Sequence, residues 1–156
     1  MARSAASLTA PTSATRLALG FLAGFLATLT FHQIGIWVLH AVGYFPNPAW
    51  VTAANEIGVP RVVSLSFWGG VWGIIFVLIE RWVARFPGGY WVGATVFGAI
   101  VPTLVLIFVV FPLRGRPLAA GFAMNLVLTF LLVHALWGLG TALILGVLTG
   151  WRNQPS

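Results

Sequence analysis

Four long apolar runs, broken only by glycine, small residues and isolated polar side chains, alternate with short segments that gather arginine, proline and glycine. The runs cover about residues 17–42, 62–82, 91–111 and 120–149. Each supplies at least the roughly 20 residues that cross about 30 Å of hydrocarbon at about 1.5 Å per residue. The pattern predicts an all-α polytopic membrane protein, an up-down four-helix transmembrane bundle over residues 17–150 whose partner is the lipid bilayer. Residues 1–16 carry Ala, Ser, Thr and two Arg with no acid, a makeup that cannot bury a core and predicts a disordered tail. The run that follows is too long for a signal-peptide core and lacks a clear small-x-small cleavage site, so the first span reads as uncleaved; a transit peptide is the lesser alternative. Residues 151–156 form a short C-terminal tail.

The connection from Gly43 to Arg61 is the one long loop. Asn47 suits a cap, Pro48 a first helical position, and Gly58 with Pro60 a stop, which predicts a short interfacial helix. Trp50 and Ile57 would share one face, lying on the membrane or over the bundle mouth, with Tyr44 and Trp50 as headgroup-level anchors.

Composition supports the bilayer as host: 60% of residues are hydrophobic and 6% charged. The net charge of +6 comes from eight Arg against Glu56 and Glu80, with no Lys and no Asp. The arginines fall at or beyond the ends of the apolar runs, where they meet lipid phosphate and water, which argues against nucleic acid as a partner. Arg3, Arg16, Arg81, Arg85 and Arg152 share one side and Arg61, Arg114 and Arg116 the other, a bias towards cytoplasmic termini. Arginine without lysine, beside abundant Ala, Gly and Pro, fits a GC-rich bacterial genome and hence an inner-membrane location. The absence of Cys excludes disulfides, thiolate chemistry and cysteine-held metal clusters. Without Lys or Asp there is no phosphate-loop lysine, Schiff base or aspartyl nucleophile.

Small and polar residues recur every fourth position: Gly20, Gly24, Thr28, His32, Ile36 and His40 in the first span, and His134, Gly138, Ala142, Gly146 and Gly150 in the fourth. Ser66, Gly69, Gly70 and Gly73 mark the second span; Ala94, Gly98 and Pro102 mark the third. Such faces let helices approach closely where lipid gives Leu and Phe no reason to associate, either inside the bundle or against a homo-oligomer or another membrane protein.

His32 and His134 lie at matching depth near the middle of their spans, and a pair across the bundle is geometrically open to them. Thr28, Gln33, Ser66 or a backbone carbonyl would satisfy them, which is the structural reading. The functional readings are haem b held by two axial imidazoles, or a quinone or proton site at His32 and Gln33. His40 would reach interfacial water. Glu80 with Arg81 reads as a headgroup-level pair at a helix end, and Glu56 with Arg61 as a local pair in the long loop. Asn125 is placed to bond to a neighbouring helix. Pro102 should free a carbonyl near Gly98 for Thr95 or Thr103.

Thr30-Phe31-His32-Gln33 in the first span, and Gly58-Val59-Pro60 leading through Ser64-Leu65-Ser66 to Phe67-Trp68-Gly69-Gly70-Val71-Trp72-Gly73, resemble a group of small four-helix bacterial inner-membrane proteins across both hairpins. The resemblance implies the fold and brings no established activity. The function expected is that of a non-catalytic accessory, assembly or scaffolding protein packing through glycine-rich helix faces. A redox or proton module centred on His32 and His134 is the first alternative and a small transporter or channel the second.

Overall fold

A computed structural model of the chain describes residues 14–150 apart from Glu56. Four helices are long and apolar enough to cross a membrane: α1 (Ala14–Ala41), α2 (Arg61–Ala84), α3 (Gly89–Leu113) and α4 (Met124–Thr149). With no strand among the described residues, the chain is an all-helical bundle, as its apolar runs require. The tails expected at 1–16 and 151–156 lie outside the described residues, save for Ala14–Arg16, which are already helical.

The helix ends follow local chemistry. Pro87, Gly88 and Gly89 make the tight turn after α2, with φ of 96° and 80° at the two glycines. α4 begins at Met124 rather than near residue 120, because Ala119, Ala120 and Gly121 adopt φ of 52°, 55° and 63°. This left-handed turn is costly for alanine. It is held by burial, since Ala120 packs with Ile107 and Phe111.

Glycines set the packing. α1 meets α2 where Gly20 and Gly24 face Gly73 and Gly69, and a Cβ added at Gly24, Gly69 or Gly73 would overlap the opposite helix. α3 meets α4 in the same way at Gly98 and Gly138. α1 lies on α4 with Phe31 over Gly140 and Leu136 and Val133 against Gly35. The Trp137 indole N–H of α4 donates to Gly24 O at 3.0 Å. The glycine faces are thus spent inside the bundle, where close van der Waals contact is the main source of helix association in lipid.

The first loop departs from expectation, for no helix forms among its described residues. Its backbone pairs elsewhere: Arg61 N–H donates to Ala53 O at 3.1 Å, Val62 N–H to Val51 O at 3.0 Å and Asn55 N–H to Val59 O at 2.8 Å. The Asn55 side chain accepts from the Ile57 and Val59 N–H groups at 3.1 and 3.0 Å, closing a turn that takes the place of a helix. Because Gly24 faces Gly69 in antiparallel register, the first residue of α2 is about level with His32, and α1 continues roughly 14 Å beyond it. The loop folds back into that space, burying Phe45 against Ile36 and Val133.

Candidate functional site

α1 does not run as a uniform α-helix. Thr28–His32 form a π-helical turn, a widening that is costly in isolation and recurs at functional sites. The Leu29 carbonyl on this turn accepts the Trp50 indole N–H at 2.9 Å. The Trp50 backbone N–H donates to Gln33 Oε1 at 2.7 Å. Trp50 itself sits at φ 48°, strained for an aromatic residue. Through these two bonds Trp50 is a clasp that fastens the loop to α1. His40 helps hold the same loop, its Nδ1 lying 3.0 Å from Phe45 O.

Beside this clasp His32 and His134 come together, with ring centroids 5.6 Å apart and planes at 34°. They lie about 14–15 Å from the ends of their helices on the long-loop side, the matching depth read from the sequence. Each ring has a partner at Nδ1. The Gln33 amide Nε2 lies 3.5 Å from His32 Nδ1, an arrangement in which the amide is the donor. Thr103 Oγ1 of α3 lies 2.7 Å from His134 Nδ1, where a hydroxyl can give or take the proton. Phe130 stacks on His134, with centroids 6.5 Å apart and planes at 26°.

Gln33 is therefore shared between the loop and His32, and Thr103 is a member of the site that the sequence reading did not assign to it. Thr28 and Ser66, the other expected partners, turn back on their own helix and donate to Gly24 O and Val62 O at 3.0 and 2.8 Å. Neither hydroxyl near the Pro102 break serves Gly98: Thr95 donates to Trp91 O at 2.9 Å and Thr103 is on His134. Asn125 is exposed at the start of α4. Close to this level Gly35 seats Leu136 and Val133 and holds α1 against α4.

A second polar cluster lies at the opposite end of the bundle. Glu80 is not paired with its neighbour in sequence but is buried, accepting from Arg16 of α1 at 2.5 Å and from the Tyr90 hydroxyl of α3 at 3.1 Å. One carboxylate thus ties three helices together. The expected Glu56–Arg61 pair lies outside the described residues, since Glu56 is not among them.

No family model, curated protein or solved structure matches this chain.

Proposed function

We propose that the chain is a non-catalytic accessory or assembly protein of a bacterial inner membrane, with both termini cytoplasmic, acting through its exterior. One observation carries this reading: the buried polar side chains are spent on one another or on backbone. Ser66, Thr28, Thr129 and Thr141 bond to carbonyls of their own helices. Glu80 is shared by Arg16 and Tyr90, Gln33 by Trp50 and His32, and His134 holds Thr103. Such an interior favours rigidity over a polar path for solute, which weighs against the transporter or channel reading. The glycine faces close the bundle on itself, so a partner or second copy would meet outward side chains such as Trp37 and Trp68. The test is isolation from native membranes in mild detergent. Companions at fixed stoichiometry support the reading; a lone protein with an intrinsic transport or redox activity contradicts it.

The second reading, a proton or quinone module, is favoured by the contact between His32 and His134 beneath a fastened loop. It would use the Nε2 side of the rings, because Nδ1 is engaged on both. Bound quinone extracted from the purified protein and lost in His134→Ala would support it. Quinone-free protein that takes up none from quinone-loaded vesicles would remove it.

A further inference from the structure

α2 and α3 are joined by a tight turn, yet each is drawn away from the other along its length. α2 is held to α1 through Gly69 and Gly73, and α3 to α4 through Gly98. The two touch closely at the turn, where a Cβ on Gly93 would overlap the Val83 carbonyl. Beyond that point large side chains bridge them, Phe97 meeting Phe76 and Trp72 with ring centroids 5.8 and 6.3 Å apart, and an apolar groove of about 250 Å³ opens outward, lined by Trp82, Phe86, Val96, Phe97, Ile100 and Val101. From Gly93 to Val101 it follows α3 for about 12 Å towards the middle of the bundle.

The groove begins at a basic cleft. Arg81, Trp82 and Arg85 line a space of about 180 Å³ at the end of α2, and Trp82 belongs to both cavities. Arg81 and Arg85 are four residues apart on one helical face and exposed. Arg81 lies with its guanidinium 6.0 Å from the Trp82 ring centroid. The adjacent carboxylate, Glu80, is turned inward to Arg16 and Tyr90. Two guanidiniums at the end of a membrane span, opening onto an apolar channel that runs towards the hydrocarbon, match one molecular shape: a phosphate headgroup with an acyl chain.

We propose that the α2–α3 groove is a binding site for an anionic phospholipid, its phosphate held by Arg81 and Arg85 and one acyl chain laid along Val96, Phe97, Ile100 and Val101. The site stands independently of the accessory reading. The test is native mass spectrometry of the full chain, released from detergent after equilibration with equal amounts of phosphatidylglycerol and phosphatidylcholine of identical chains.

The proposal expects phosphatidylglycerol to be retained about thirtyfold over phosphatidylcholine, the ratio that corresponds to roughly 1 kcal/mol for each of the two arginines. Arg81→Gln with Arg85→Gln should abolish the preference, and Ile100→Trp, which fills the groove, should lower retention with both arginines in place. Should the double variant fail to fold, Arg85→Gln alone and Ile100→Trp carry the test. Equal retention of the two lipids, or an unchanged preference in the arginine variants, overturns the proposal. So does displacement of the lipid by millimolar inorganic phosphate together with full retention in Ile100→Trp, which would mark a site for phosphate without a chain.

Discussion

At the residue scale, the Glu80 cluster shows how far an interaction can lie from its neighbours in sequence. Successive residues on a helix point about 100° apart, so Arg81 beside Glu80 faces outward, while Arg16, distant in the chain, meets the carboxylate. The two partners are unequally buried: the side chain of Glu80 is 4% exposed and that of Arg16 20%. Removing Arg16 strands a carboxylate away from water, whereas removing Glu80 leaves a guanidinium that can reach the interface. Arg16→Met is therefore expected to destabilise the protein by about 3 kcal/mol, and Glu80→Gln, which can keep the Tyr90 contact, by clearly less. Thermal unfolding of both variants in one detergent checks the order; equal losses, or the reverse order, contradict it. His32, Gln33 and His134 were legible as a candidate group because polar side chains in an apolar run are few and costly. Thr103 was not, because a threonine can satisfy itself on its own helix, as Thr95 does.

At the element scale, the four spans could be read directly, since a membrane helix announces itself by length and apolarity alone. The first loop could not. Asn47-Pro48 and Gly58-x-Pro60 are valid local signals for a helix start and stop, but the acceptors that decide the outcome, Gln33 Oε1 and Leu29 O, lie on another element. The π-helical turn at Thr28–His32, like the one at Leu106–Val110 of α3, was likewise invisible in the local sequence. Gln33→Leu removes the acceptor of the Trp50 amide, a bond of about 1 kcal/mol, and should speed hydrogen exchange in the segment around Trp50 by about fivefold while α2 stays protected. Unchanged exchange there would show that the clasp does not hold the loop. The glycine contacts make a second expectation. Gly73→Leu would force a side chain into the Gly20 carbonyl and separate α1 from α2, lowering stability by about 1–3 kcal/mol or preventing folding. Ala41→Val, on the exposed end of α1, should change the melting temperature little. Comparable melting of the two variants would refute the tight α1–α2 seam.

At the scale of the whole molecule, outward-facing Trp37, Phe67, Trp68 and Trp82 are each at least half exposed, a surface suited to lipid and to the interfaces that bound it. The bundle places the loops around residues 42–60 and 114–123 at one end, and the 85–88 turn with both ends of the described chain at the other. Because the protein has no native cysteine, single cysteines introduced at exposed positions report this arrangement without background. The most direct measurement labels Asn47→Cys, Pro87→Cys and Arg116→Cys in sealed vesicles with a thiol reagent that does not cross the bilayer. Asn47→Cys and Arg116→Cys should react from one side of the membrane and Pro87→Cys only from the other. Labelling of Asn47→Cys and Pro87→Cys from the same side would contradict the four-span bundle.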